Sequence, residues 1–260
     1  MDAPAAISFE AVTRAYGSGR PALDGVSFQV GSGEFLAVVG PSGSGKTTLL
    51  RLINRLAEPT GGTVRIGGED AAALDPIALR RRVGYVFQGV GLFPHLTVAE
   101  NIAITPKLLG WDGPRRAARA AELLALVRLP ASYAPRFPHQ LSGGERQRVG
   151  VARALAAEPR IVLMDEPFSA LDALTRDALG DDYRRLHRDL GLTSVMITHD
   201  MLEALLLADR VVVLREGRLI ADGAPADLMR RTDDPFLREL MQTPRRHAEK
   251  LAAFMAERAP

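Results

Sequence analysis

One stretch limits what this chain can fold into: Leu36-Ala37-Val38-Val39-Gly40-Pro41-Ser42-Gly43-Ser44-Gly45-Lys46-Thr47-Thr48-Leu49-Leu50. Its apolar start reads as a buried strand. A glycine-rich turn follows, and apolar residues at helical spacing (Leu49, Leu50, Ile53, Leu56) then predict a helix. The turn matches G-x-x-x-x-G-K-[ST] through Gly40, Gly45, Lys46 and Thr47. Glycines let successive backbone N–H groups converge on a polyphosphate, and a helix N-terminus adds a favourable dipole. Lys46 is expected to reach the terminal phosphates and the Thr47 hydroxyl to ligate Mg²⁺. A Gly/Ser loop can match this pattern by chance, but the strand before it and the helix after it are the context the motif demands. The stretch therefore predicts a nucleoside triphosphate site built from Gly40, Ser42, Gly43, Ser44, Gly45, Lys46, Thr47 and Thr48.

With 260 residues, 47% hydrophobic and 25% charged, the chain has the composition of an ordinary globular protein and can bury a sizeable core. The formal net charge of +2 gives no mandate for nucleic acid as a partner. Among the basic residues only Lys46, Lys107 and Lys250 are lysines. A chain this rich in arginine still places lysine in the phosphate loop, where a compact, strongly hydrated point charge is wanted. Cysteine is absent, which excludes disulfides, thiolate nucleophiles and zinc–cysteine sites. No signal peptide is legible in Met1-Asp2-Ala3-Pro4, and no apolar run reaches the roughly 18–20 residues of a membrane span. Any membrane connection is expected to come through a partner.

Ile7 to Val12 alternates, with Ile7, Phe9 and Ala11 on one face, and Val26–Val30 alternates likewise. Tyr16 lies between them and reads either as a surface or core aromatic or as a stacking platform for a base. Gly61–Gly68 reads as a strand between turns, and Val83–Gln88 as a strand ending in a polar amide. From Gly89 to about Glu158 the pattern is mostly helical, including the alanine-rich amphipathic run Arg115–Val127. Strand–helix alternation then returns with Ile161–Met164, Ser194–Ile197 and a hairpin of Val211–Leu214 and Leu219–Ala221 about Glu216-Gly217. The pattern predicts an α/β core interrupted by a helical insertion, with residues 225–260 as a helical tail. Leu251, Phe254 and Met255 give that tail a weak apolar face, which serves either a solvated terminal helix or a docking contact.

Two further constellations carry chemistry. Arg160-Ile161-Val162-Leu163-Met164-Asp165-Glu166 reads as a buried parallel strand with carboxylates at its C-terminal end, where α/β sheets place ligands. Asp165 is expected to hold Mg²⁺ through water opposite Thr47, and Glu166 to polarise the water that attacks a γ-phosphate. Leu141-Ser142-Gly143-Gly144-Glu145-Arg146-Gln147-Arg148 opens a helix with Ser142 as N-cap, a second phosphate-binding surface. Two such surfaces for one nucleotide point to a head-to-tail homodimer, each nucleotide lying between one chain's phosphate loop and the other's Ser142 region.

These residues resemble the motifs of the ATP-binding cassette (ABC) ATPases. Leu141–Glu145 is similar to the signature motif of that family, Gly40–Thr48 to its Walker A loop and Gln88 to its Q-loop residue. Ile161–Glu166 resembles Walker B with the catalytic glutamate, Ser169-Ala170-Leu171-Asp172 the D-loop, and His199 the switch histidine. The resemblance implies a P-loop NTPase (RecA-like) α/β core with an N-terminal antiparallel β-subdomain, a helical subdomain inserted at about 89–158, and a short helical C-terminal tail. The cassette would span 5–240 and the tail 241–260. It implies ATP and Mg²⁺ as ligands, with Tyr16 stacking on adenine and Glu166, His199 and Gln88 acting in hydrolysis. Thr47, Gln88 and Asp165 would attend the metal. Ser142, Gly143, Gly144, Gln147 and Asp172 would reach the partner chain's nucleotide.

Within the family, the lack of membrane helices, of coiled coils and of a second cassette resembles the ATPase subunit of a bacterial importer. Such a subunit sits peripherally on the cytoplasmic side of the membrane beneath separate permease subunits, and serves a solute-binding protein indirectly. Gly89–Ile102 is the expected permease contact, although Val98 and Ile102 read equally as packing inside the helical subdomain. Arg51–Thr60 and Gln88–His95 resemble the osmoprotectant branch, which imports quaternary amines such as glycine betaine, carnitine and choline. Polar amino-acid and taurine- or nitrate-type importers are the neighbouring alternatives, and a soluble non-transport ABC ATPase is the alternative from another class.

Overall fold

The computed structural model describes residues 5–169, 171–230, 234–242 and 246. The chain runs through β1 (Ile7–Arg14), β2 (Leu23–Val30), β3 (Phe35–Val39), α1 (Lys46–Ile53), β4 (Gly61–Ile66), β5 (Glu69–Asp70), α2 (Pro76–Arg82) and β6 (Val83–Val86). Four helices fill its middle: α3 (Val98–Ile102), α4 (Ile104–Leu108), α5 (Gly113–Leu126) and α6 (Gly143–Leu155). Then come β7 (Ile161–Asp165), α7 (Ala173–Leu190), β8 (Thr193–Thr198), α8 (Met201–Leu207), β9 (Arg210–Arg215), β10 (Arg218–Gly223) and α9 (Pro225–Arg230).

The strands sort into an antiparallel sheet ordered β2-β1-β4-β5 and a larger sheet ordered β10-β9-β3-β8-β7-β6. In the larger sheet β10 is antiparallel to β9 and every other neighbouring pair is parallel. Parallel strands covered on both faces need apolar residues at every position. β3 is buried throughout for that reason, and side-chain alternation divides it between two cores. Phe35, Ala37 and Val39 face the core of α5, α6, α7 and α8, whereas Leu36 and Val38 face the core shared with α1 and the smaller sheet. The C-terminal ends of β3, β7 and β8 therefore emerge side by side between two fixed layers, the place where an α/β sheet holds its ligand.

The structure departs from the periodicity at three places. Ala11 does not share the buried face of β1. It has φ 48°, and the register shifts between Phe9 and Val12, so Val12 takes the core position. This β-bulge is held by the Ala11 N–H donating to Ser27 Oγ (2.8 Å), and β4 crosses it at Gly62, where a Cβ would stand 2.3 Å from the Ala11 carbonyl oxygen. Leu56 does not continue the α1 stripe: the helix ends at Ile53, Arg55 turns left-handed at φ 49°, and Leu56 is 51% exposed. The inserted helices begin at Val98, and 89–97 forms a loop pinned by buried Asn101. Its Oδ1 accepts from Phe93 N–H, and its Nδ2 donates to the Phe93, Leu96 and Thr97 carbonyls.

The tail is helical over α9 and 235–242, where Leu237 and Met241 bury themselves against the core. Ala170, Thr243–Arg245 and the stretch containing Leu251, Phe254 and Met255 lie outside the described residues.

α7 and β8 bury a polar cluster. His187 Nδ1 lies 3.0 Å from Ser194 Oγ, which also pairs with the Tyr183 hydroxyl at 2.8 Å, and Asp209 stands 3.9 Å from His187 Nε2. Burial lowers the His187 pKa, as do Arg184 and Arg188, and this outweighs the opposing pull of Asp209 and the Gly33 backbone. The unfolded chain thus binds more protons at this group once the pH falls below about 6.5, so the native state loses stability from there down to the lowered folded pKa. Urea denaturation at pH 7.5 and 5.5 should show a smaller loss for His187→Gln than for the parent chain; equal losses would remove His187 as the cause.

Candidate functional site

The loop after β3 closes on itself because two glycines sit against backbone. At Gly40 (φ 154°) a Cβ would lie 2.0 Å from the Leu214 carbonyl oxygen, and at Gly45 (φ 103°) 2.2 Å from that of Ala22. Neither neighbour can yield, so both positions demand glycine. Lys46 opens α1 and is only 7% exposed; its Nζ donates to the carbonyls of Gly40 (2.7 Å) and Pro41 (2.9 Å). Burial lowers its pKa, against the raising influence of Glu166 and Asp165. Ser44 Oγ is buried without a hydrogen-bond partner among the described residues. A cleft of about 580 Å³ opens over this loop, lined by Ser42 to Thr48 together with Tyr16, Ala22, Glu166 and His199. Tyr16 stands half exposed at its edge, with the Arg14 guanidinium 4.4 Å over the ring.

The carboxylates diverge at the end of β7. Asp165 is the last strand residue, and Glu166 takes φ 45° while its N–H donates to the Ile197 carbonyl (3.0 Å). This left-handed residue turns the chain and brings Glu166 Oε2 to Gln88 Nε2 (3.1 Å) and His199 Nδ1 (3.3 Å). The three residues expected to act in hydrolysis are therefore in contact, although Gln88 spends its amide on Glu166. Burial raises the Asp165 pKa, helped by the Glu166 charge and opposed by Tyr85, Arg51 and Lys46.

Sequence reasoning missed the group behind His199. Thr198 Oγ1 donates to Glu203 (2.7 Å) and accepts from the Asp200 N–H (3.0 Å), Asp200 caps α8 through Leu202 N–H (2.8 Å), and Arg176 reaches Asp200 (3.3 Å). The Asp200…Glu203 capping-box spacing was the available signal. Tyr85, whose hydroxyl lies 3.5 Å from Asp165 Oδ2, was also missed, because a residue inside a strand carries no local mark of its neighbour across the sheet.

The second expected surface forms as a helix cap. Ser142 and Glu145 make a reciprocal capping box on α6, with the Ser142 N–H donating to Glu145 Oε2 (2.7 Å), and the Tyr133 hydroxyl donates to Glu145 Oε1 (2.7 Å). Gly143 faces open space, but a Cβ on Gly144 would lie 2.6 Å from Thr175 Cγ2, so that glycine serves the packing of α7. Gln147 is 3% exposed, and its Nε2 has no hydrogen-bond partner among the described residues. Asp172 is exposed and caps α7 through the Thr175 N–H (3.0 Å); that bond holds its pKa below the ordinary value. None of Ser142, Gly143, Gly144 or Asp172 lines the cleft over the phosphate loop.

The cleft fits a polyphosphate: its cradle admits no Cβ, Ser44 Oγ is orphaned, and an ammonium is held against the loop's own carbonyls. No group of three or more His, Cys, Asp or Glu able to hold a metal occurs among the described residues. One carboxylate, Asp165, and one hydroxyl, Thr47, suit a cation that keeps waters and takes phosphate oxygens, which is Mg²⁺ chemistry.

A family model described as ABC transporter matches residues 23–169. The chain is similar to the choline transport ATP-binding protein of Bacillus subtilis (strain 168), at 48% identity over 235 residues, 90% of this chain and 62% of that protein. It is also similar to the glycine betaine uptake system ATP-binding protein of Escherichia coli (strain K12), at 47% identity over 234 residues, 90% of this chain and 75% of that protein. Among solved structures it resembles a dimeric ATP-binding cassette in a post-hydrolysis state bound to ADP and Pi, with TM-score 0.77 and 36% identity, covering 84% of this chain and 98% of that chain. The chain spans about three fifths of the length of its Bacillus subtilis relative.

Proposed function

The chain belongs to the ABC transporter family, and we propose that it is the ATP-hydrolysing subunit of a bacterial solute importer, acting as a homodimer on the cytoplasmic side of the membrane. The observation that carries this reading is the division of the site. One cleft gathers the phosphate loop, Glu166 and His199, while the exposed Ser142 cap lies outside it. Two chains set head to tail would complete two sites.

In each site the loop N–H groups and Lys46 bind the phosphates, and Tyr16 offers its ring to adenine. Thr47 and Asp165 would hold Mg²⁺, which neutralises charge on the phosphate oxygens. Glu166 takes a proton from the attacking water, and Gln88 and His199 keep that carboxylate in place. Closure of the dimer on ATP and its separation after hydrolysis would move the permease between its two orientations.

A groove of about 490 Å³ supports permease docking. Tyr85, Phe87, Phe93, Ile104 and Leu56 line it, with Arg153 at its side. Phe87 and Phe93 are exposed, whereas Val98 and Ile102 of the expected contact are core residues. No helix of the described residues is long and apolar enough to cross a membrane, so the permease would be a separate chain or a separate region. The names of the two relatives, which specify choline and glycine betaine, favour a quaternary amine as the solute; a binding protein would deliver it. Uptake of radiolabelled glycine betaine should fall to background in a strain lacking this subunit, while amino-acid uptake persists. The reverse pattern would move the subunit to an amino-acid importer.

A further inference from the structure

Tyr85 belongs to two places at once. Its ring lines the apolar groove and packs on Phe87, with centroids 4.4 Å apart. Its hydroxyl lies 3.5 Å from Asp165 Oδ2 on the neighbouring strand. The geometry is set by strand register: β6 pairs with β7 in parallel, placing Tyr85 opposite Leu163 and Val86 opposite Met164, one residue before Asp165. A separation of 3.5 Å is well beyond the roughly 2.7–2.8 Å of a formed O–H···O bond. The contact is thus poised, and a small displacement of the ring would make or lose it. Phe87 is exposed and its ring lies 5.8 Å from the Arg153 guanidinium, which donates to the Val90 and Gly91 carbonyls (2.6 and 2.7 Å). A ligand in the groove would meet Phe87, whose ring packs on Tyr85.

We propose that Tyr85 is a positioning residue that transmits occupancy of the groove to the metal-holding carboxylate Asp165, its hydroxyl closing onto Oδ2 when the groove is filled. This link runs beside Gln88 and does not pass through it: Gln88 acts on Glu166, Tyr85 on Asp165. A hydroxyl donated to one oxygen fixes the orientation of the carboxylate and leaves its other oxygen free. The inference rests on the reading of Asp165 as the Mg²⁺ residue; it does not require that the groove's occupant be a permease.

The chain has no cysteine, so Phe93→Cys gives a unique thiol in the groove that N-phenylmaleimide can load with an apolar ring. In a Glu166→Gln background, which removes turnover, Mn²⁺ affinity at saturating ATP is read by electron paramagnetic resonance. Loading the groove should tighten Mn²⁺ binding by about tenfold, the scale of one hydrogen bond to a charged group. Adding Tyr85→Phe should keep the Phe87 packing, ATP affinity and melting temperature while abolishing that response. Equal responses with and without the Tyr85 hydroxyl, or no response in either, would overturn the proposal. The permease reading is tested separately: Phe93→Glu should prevent co-purification with the permease. An intact complex there would remove the permease from the groove and leave the Mn²⁺ result standing.

Discussion

Glu166→Gln should lower steady-state ATP hydrolysis by about two to four orders of magnitude, the contribution of a positioned general base. The substitution is nearly isosteric, and the amide oxygen still accepts from Gln88 Nε2 or His199, whose atoms stand 3.1 and 3.3 Å from Glu166 Oε2. The left-handed turn at φ 45° is a backbone feature that the new side chain shares. Fold and ATP binding should therefore survive while the proton acceptor is lost. With hydrolysis blocked, the ATP-bound dimer should accumulate and elute early on size exclusion in ATP but not in ADP. Phosphate release at the parent rate would show that another group takes the proton.

Ser142→Arg should abolish hydrolysis, by on the order of a hundredfold or more if the cap supplies donors to transition-state charge, while leaving ATP binding to the single chain unchanged. Ser142 is exposed and outside the cleft, so a bulky side chain there disturbs nothing that touches the nucleotide within its own chain. Loss of the capping box costs about 1 kcal/mol, too little to unfold a protein of this size. A mixing experiment sharpens the test. A Ser142→Arg chain and a Glu166→Gln chain are each inactive alone, but head to tail they form one site carrying both defects and one carrying neither. Activity should return on mixing. Continued silence of the mixture, with dimers present, would place the complete site within one chain.

Much of the site was legible because its instructions are local. Gly40 and Gly45 are demanded by backbone crossings at 2.0 and 2.2 Å, and a glycine requirement shows directly in the sequence. Ser142 and Glu145 form a box at fixed spacing, and the apolar runs of β3 and β8 announce strands covered on both faces. Ala11 and Leu56 were misread for a common reason. Periodicity assumes an uninterrupted element, whereas a bulge at Ala11 and a helix end before Leu56 each shift the face presented to the core.

The sequence by itself determined that this chain grips a polyphosphate on a strand–loop–helix unit, with carboxylates on a second strand and a separate helix cap for a second surface. Only the tertiary structure decided which residues meet. The order β3-β8-β7-β6 brings Glu166, Gln88 and His199 to one point, sets Tyr85 between the groove and Asp165, and leaves Ser142 outside the cleft. Backbone conformation is set by a few neighbouring residues and so can be read locally. Strand order and register are set by the burial of whole faces against one another, and no short segment carries that information.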